Sequence, residues 1–322
     1  MYFNNSTNDL ILQDDFYGHR SPWRAKKVAN EYLSLAYAQI DPKKAQRLSE
    51  CSTQLLFRKY DTGEMKLHSM NSCRVRLCPL CTWRRTLRVY ADNKKIFRHV
   101  DPDNTKYKYI LLTLTEKNCT GENLSKRIDA LFYAWKLFAK TKPFKQAVKG
   151  WYRGLEVTHN TDFLSKDYNT YHPHFHVILV VNKSYFTSRY YLSQAQWGEM
   201  WKNALKANYD PVVDVRKINN VNDSKAIAEI SKYPVKDADF VIYDDWELTT
   251  ETVSILDEAL NNRRLIAYGG ILKDAKKELK ISDIESADLV HTDDEAPTMD
   301  DNFKLEFYFW HTGYRQYVKG EN

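Results

Sequence analysis

No stretch of the 322-residue sequence is apolar for the roughly 20 residues that a bilayer-spanning helix needs. The mean hydropathy of −0.62 points the same way. The start, MYFNNSTNDLILQDD, has neither the basic head nor the apolar stretch of a secretory signal. These absences argue against an integral membrane or exported protein, and the expected compartment is the cytoplasm. No GxxxxGK[ST] loop occurs, so there is no Walker-type nucleotide site. No internal repeat is visible. Cysteine is scarce: Cys51, Cys73, Cys78, Cys81 and Cys119, three of them between positions 73 and 81. In a reducing compartment such a cluster reads as metal ligands rather than disulfides.

What is present is 43% hydrophobic residues, enough for one large domain or two to three small ones. Formal charge is 48 − 42 = +6, with a pI near 8.8. This excess fits a polyanionic partner, though many ordinary proteins carry as much. Aromatic residues reach 14%, with 22 Tyr and 8 Trp. Flat rings serve as platforms for unstacked bases as well as core filling.

Residues 1–30 read as an irregular, basic-tipped lead-in and 28–50 as one helix, with Val28, Tyr32, Leu33 and Ala36 at helical spacing. TQLLFRKY and MKLHSM flank Asp-Thr-Gly as a hairpin. A basic helix follows over 81–100. Strands are expected at 106–115, 151–160, 172–181 and 211–218, with helices over 121–140, 193–207, 222–233 and 250–263. This order predicts an α+β fold with helices packed on an antiparallel sheet. The acidic stretch 283–301 reads as a solvated or mobile segment. KLEFYFWHTGYRQYVKG reads as a hairpin turning at His-Thr-Gly.

The sharpest motif is HPHFHVILVV (172–181). Alternate side chains of a strand share a face, so His172, His174 and His176 point one way and Phe175 and Val177 the other. Two imidazoles at i and i+2 can clamp one ion. A carboxylate from a neighbouring strand completes a two-His, one-carboxylate site with open positions. Glu156 stands alone among apolar residues in GLEVT, on a strand expected to pair antiparallel with 174–181. A buried carboxylate is costly without a cation. The plainer alternative is a satisfied structural Glu with surface histidines. An ion held there would grip a phosphate oxygen and draw off charge as phosphorus is attacked, and mixed N/O ligation suits Mg²⁺ or Mn²⁺.

In AIAEISKYPVKD, Glu229 and Tyr233 are four apart and share a helical face. A Tyr hydroxyl attacking phosphorus gives a phosphotyrosyl ester that conserves bond energy without ATP. Glu229 is placed to act as a general base, and Lys232 and Lys236 to stabilise phosphate charge. Pro234 puts Tyr233 at a helix end or kink. Among 22 tyrosines, such a spacing also arises by chance.

HPHFHVILVV, with ILLTLT (110–115), GLEVTHN (154–160), EISKYPVKD (229–237) and RLCPLCTWRR (76–85), resembles the HUH endonuclease superfamily. Within it, the sequence is similar to single-tyrosine plasmid rolling-circle replication initiators of Gram-positive bacteria, over most of the chain. The resemblance implies an HUH-type antiparallel sheet flanked by helices, an N-terminal zinc-ribbon-like DNA-binding module (1–100), a catalytic domain (101–245) and a C-terminal extension (246–322) that is either a DNA-binding or regulatory part or a segment packed on the catalytic core. It implies that His174, His176 and Glu156 hold Mn²⁺ or Mg²⁺, that Tyr233 nicks, and that Glu229 activates water when a round ends. His172 departs from the two-histidine motif, as a third ligand or a DNA-positioning group. Implied partners are double-strand origin DNA of the plasmid, single-stranded at the nick, with a host helicase and polymerase. A homodimer would supply a second tyrosine.

Cys73, Cys78 and Cys81 with Cys51 offer four thiolates to a structural Zn²⁺, with His68 as an alternative to Cys51 and buried free cysteines as the plainer reading. The helix that follows, with Trp83, Arg84, Arg85 and Arg88, reads as a zinc-braced DNA-docking element or a solvated charged face. Cys119 has no assigned role. Two other functions compete: a zinc-stabilised DNA-binding regulator without catalysis, and a transposase or relaxase of the same superfamily. The first leaves His174, His176 and Glu156 unexplained. The second fits poorly with about 100 residues ahead of the domain and no NTPase motif.

Overall fold

Between Trp23 and Glu50 the helical pattern is broken once, at Asp41-Pro42, and the backbone follows that break. Helix α1 spans Trp23–Ile40 and α2 spans Pro42–Glu50. Pro42 lacks the N–H that would continue α1 but suits a first helical turn. The Asp41 carboxylate accepts from the N–H groups of Lys43 and Lys44 and caps α2. The single helix expected over 28–50 is therefore two, and the lead-in turns helical at Trp23. The computed structural model describes residues 10–16, 19–20, 22–219, 227–228, 231, 236–292 and 302–320.

Two short paired strands, β1 (Asp15–Phe16) and β2 (His19–Arg20), precede α1. After α2 come the expected hairpin, β3 (Gln54–Tyr60) and β4 (Met65–Met70), and helix α3 (Pro79–Val100). Then follow β5 (Tyr107–Thr115), α4 (Gly121–Phe138), α5 (Lys142–Ala147), β6 (Val148–Asn160), β7 (Thr170–Asn182), α6 (Gln194–Leu205) and β8 (Val213–Ile218). The chain continues through α7 (Trp246–Leu260), β9 (Ile266–Gly270), α8 (Ile271–Glu278), β10 (Phe303–His311) and β11 (Gln316–Lys319). The helix expected over 222–233 falls largely outside the described residues. The fold is α+β, with antiparallel sheets flanked by helices.

Two compact units share these elements. The first combines residues 1–88, 241–254 and 285–322. Its four-stranded sheet runs β11-β10-β3-β4, with Phe303–Phe309 antiparallel to Gln54–Tyr60. Residues 285–292, expected to be solvated, are partly buried here: Ala287, Leu289 and Thr292 are inside.

The second unit combines residues 89–240 and 255–284. Its five-stranded antiparallel sheet runs β8-β5-β7-β6-β9. On one face, α4, α5 and α6 lay Trp135, Phe138, Phe144, Trp197 and Trp201 among one another and against Phe175. Leu155 and Val177 point to this apolar side, so the strand alternation delivers Glu156, His174 and His176 to the other. Strand β9, not foreseen as a strand, closes one edge. A Cβ at Gly269 would meet Trp151 Cε2 at 2.2 Å, and Gly270 has φ +55 and lies against Lys149 O, so both positions require glycine. Among the described residues, no helix is long and apolar enough to cross a membrane.

Candidate metal centres and nucleophile segment

The register of β6 against β7 sets Glu156 directly opposite His174, and β5 sets Thr113 opposite His176. His176 Nε2 lies 2.9 Å and His174 Nε2 3.6 Å from Glu156 Oε2. One ligand atom from each of Glu156, His174 and His176 falls within a 4.8 Å group. His174 Nδ1 is 3.0 Å from the His172 carbonyl, which can only accept, so Nδ1 carries a proton and Nε2 is the nitrogen turned toward Glu156. His176 Nδ1 faces Thr113 Oγ1 at 3.3 Å. Both rings are thus oriented from behind, as metal-binding imidazoles are. Burial opposes ionisation of Glu156, but the hydrogen bonds and charges of His174 and His176 outweigh it and hold the carboxyl well below the usual carboxylate range. A two-imidazole, one-carboxylate set with the carboxylate ionised fits a divalent cation. His172 lies outside this group, its ring stacked on that of His174 at 5.1 Å.

Lys236 Nζ stands 3.4 Å from Glu156 Oε1, with its side chain 56% exposed. Ser231 is fully buried, and its hydroxyl donates to the Ile227 carbonyl and receives a hydrogen bond from Asn93 Nδ2 at 3.2 Å. Asn93 Oδ1 in turn accepts from Tyr268 OH at 2.8 Å. His159 Nδ1 donates to the Asp239 carbonyl at 3.1 Å. Residues 231 and 236–239 are therefore each fastened to elements of the second unit. Glu229, Lys232 and Tyr233 lie outside the described residues; in sequence, Tyr233 falls between the anchors at Ser231 and Lys236.

In the first unit, Cys51 ends α2, Cys73 follows β4, and Cys78 and Cys81 sit at the start of α3. All four are buried, with Sγ–Sγ separations of 3.7 Å (Cys51–Cys81), 3.8 Å (Cys73–Cys81) and 3.6 Å (Cys51–Cys78). A tetrahedron of thiolates with Zn–S of about 2.3 Å has edges of about 3.8 Å, so the four sulfurs could hold zinc. Lys27 and Asn30 of α1, both buried, fix the Cys51 end. Lys27 Nζ donates to the Ser49 and Cys51 carbonyls at 2.9 and 2.6 Å, and Asn30 to that of Leu48. With the sulfurs ionised on a metal, the Lys27 ammonium would also offset part of their charge. Sequence reading missed both residues; a Lys and an Asn on an apolar helix face were the available signal. His68 is not in the group. Burial pushes the Cys119 thiol up to about 11, away from reactivity.

The four residues expected to dock DNA are engaged within the first unit. Arg84 Nε donates to the Leu289 carbonyl at 2.8 Å, and its Nη2 to Val290 O and Thr292 Oγ1. Arg85, 1% exposed, donates to the carbonyls of Val75 and Arg74. Arg88 donates to His291 O, and Trp83 packs edge-on against Trp23 at 4.8 Å. Arg84 and Arg85 are thus braces for residues 289–292 and for the loop holding Cys73, and not a solvent-facing basic patch.

The replication-protein family model (Rep_1) matches residues 64–318. "Protein rep" of Bacillus amyloliquefaciens is 37% identical, covering 98% of this chain and 99% of its own length. "Protein rep" of Lactiplantibacillus plantarum is 37% identical over 87% of this chain and 89% of its own, and that of Streptococcus pneumoniae serotype 2 is 30% identical over 97% and 96%. No solved structure matches. With the family model covering Glu156, His174, His176 and three of the four clustered cysteines, and relatives aligned nearly end to end, the chain belongs to the Rep_1 family of replication proteins.

Proposed function

We propose that this chain initiates rolling-circle replication of a plasmid by nicking one strand of its double-strand origin. The observation that carries this reading is the oriented Glu156, His174 and His176 group with Lys236 beside it, five residues after the anchored Ser231. The Tyr233 hydroxyl loses its proton and its oxygen attacks the scissile phosphorus. The bond to the 3′ oxygen breaks, that oxygen is protonated, and the 5′ phosphate stays on tyrosine. Glu156, His174 and His176 would hold Mn²⁺ or Mg²⁺, which supplies Lewis-acid stabilisation of phosphate charge when bound. Lys236 adds a second positive charge, with Lys232 as its neighbour in sequence. The freed 3′-OH primes a host polymerase, behind a host helicase. At the end of a round Glu229 activates water. The four cysteines would hold Zn²⁺ as a structural brace. A homodimer would bring a second Tyr233.

The test is a covalent adduct. The protein is incubated with Mn²⁺ and single-stranded oligonucleotides tiling the origin, and DNA-linked peptides are mapped by mass spectrometry. Linkage at Tyr233 that disappears with chelator or with Tyr233→Phe is expected. Linkage at another tyrosine would keep the chemistry and overturn the assignment. Duplex binding with neither nicking nor adduct would favour a non-catalytic regulator.

A further inference from the structure

The β6–β7 hairpin that carries Glu156, His174 and His176 ends in a loop, residues 161–169, that the centre does not use. Its tip presents Leu164, 81% exposed, beside Phe163, 77% exposed, with Tyr168 also exposed. The loop is nonetheless tied. Asp162 N–H donates to Asn160 Oδ1 and Leu164 N–H to Asp162 Oδ1, each at 3.0 Å. Asn160 Nδ2 donates to Ser165 Oγ at 2.9 Å, Asp167 N–H to the same hydroxyl at 3.2 Å, and Asn169 N–H closes the loop on the Asn160 carbonyl. Side-chain oxygens thus fix the backbone, in the manner of Asx and Ser/Thr turns. Ordering a loop costs conformational entropy, and holding adjacent apolar side chains in water recovers none of it. A partner that covers the tip offsets that cost.

The hairpin geometry identifies the partner. From Glu156 to Asn160 the strand advances four residues, about 13 Å at about 3.3 Å per residue. The tip therefore stands a few nucleotides from a phosphate seated at Glu156, His174 and His176. A flat ring beside a branched aliphatic chain suits unstacked bases, by stacking and by wedging. Lys166 is exposed between them and the strand, and the Asp162 carboxylate is occupied by the Leu164 amide. We propose that Phe163 and Leu164 dock the single-stranded DNA flanking the nick, with a base stacked on Phe163. This deepens, and rests on, the nuclease reading above.

The test uses the full chain and origin oligonucleotides carrying aminopurine at successive positions, without added divalent metal. Stacking on the tip alters fluorescence at one or two positions. Phe163→Ala and Leu164→Ala should each raise Kd about tenfold and abolish that local change. Phe163→Tyr should restore both. The two side chains are exposed, so unchanged melting temperatures will show that folding is intact. Unaltered Kd and an unaltered aminopurine profile would overturn the proposal. So would weakened self-association in sedimentation with DNA affinity intact, which would make the tip a contact between copies. Adduct formation by the unsubstituted chain with Mn²⁺ is scored in parallel; its failure sinks the nuclease reading, whereas the tip is judged by the aminopurine profile.

Discussion

Glu156 is the residue on which the second unit's centre turns. It is 8% exposed and meets two imidazoles and an ammonium group. Removing its carboxylate takes away the only anionic ligand among Glu156, His174 and His176. Glu156→Ala should weaken Mn²⁺ binding about a hundredfold by calorimetric titration, and adduct formation should fall below detection. Retained Mn²⁺ affinity would place the ion elsewhere. The four-sulfur group is settled by a similar contrast. Cys51→Ser should abolish the bound zinc measured by atomic emission, whereas His68→Ala should keep it. The reverse pattern would return His68 to the ligand set.

At the level of elements, two contacts hold strands and segments in place. Asn93 in α3 joins Tyr268 of β9 to Ser231, and all three partners are buried or half-buried. Asn93→Ala leaves two hydroxyls without that partner, a cost of about 1–3 kcal/mol. The variant should melt earlier and form the adduct about tenfold more slowly, with Mn²⁺ affinity unchanged; an unaltered adduct rate would show that the anchor serves stability alone. In β10, burial works against the charge of Glu306, but hydrogen bonds from Lys319 and Tyr308 and the charges of Lys319 and Lys59 outweigh it, holding its carboxyl below the ordinary range. A lowered folded pKa gives stability that is present above the unfolded value, about 4.3, and is lost as pH falls through the folded one. Glu306→Gln should therefore lower the melting temperature by a few degrees at about pH 7, with the deficit shrinking toward about pH 3. A deficit constant over that range would assign the effect to packing. The same scale shows what the sequence makes legible. HPHFHVILVV declares its strand and its two faces because the period is two, and Cys73, Cys78 and Cys81 declare a cluster by spacing, which leaves the fourth place open between Cys51 and His68. Arg84 and Arg85 look like a surface patch because charge alone carries no information on which carbonyls are near. The segment 285–292 looks solvated because its burial depends on those same guanidinium groups. β9 is five residues with two glycines, too short and too glycine-rich to register as a strand before Trp151 and Lys149 are known to lie against it.

On the scale of the whole molecule, the first unit is built from segments that are far apart in the chain. β3 sits between β4 and β10, so its pairing partner on one side comes from about 250 residues away, a pairing no local pattern reveals. β11 adds Tyr317, fully buried, whose hydroxyl donates to the Ser52 carbonyl at 2.7 Å, next to Cys51. The C-terminal hairpin thus supports both the sheet and the backbone that presents one of the four sulfurs. Ending the chain at residue 302 would strip β3 of its neighbour, leave an exposed edge, and free the Ser52 carbonyl. The shortened protein should release zinc to a chelator faster than the full chain and aggregate on warming. The second unit contributes none of its five strands from residues 303–322, so Mn²⁺ titration of the Glu156, His174 and His176 group should be unchanged in the same protein. Loss of both metals together would mean that the two units fold as one cooperative block, and loss of neither would mean that the cysteine group is held by α1, α2 and α3 without the sheet.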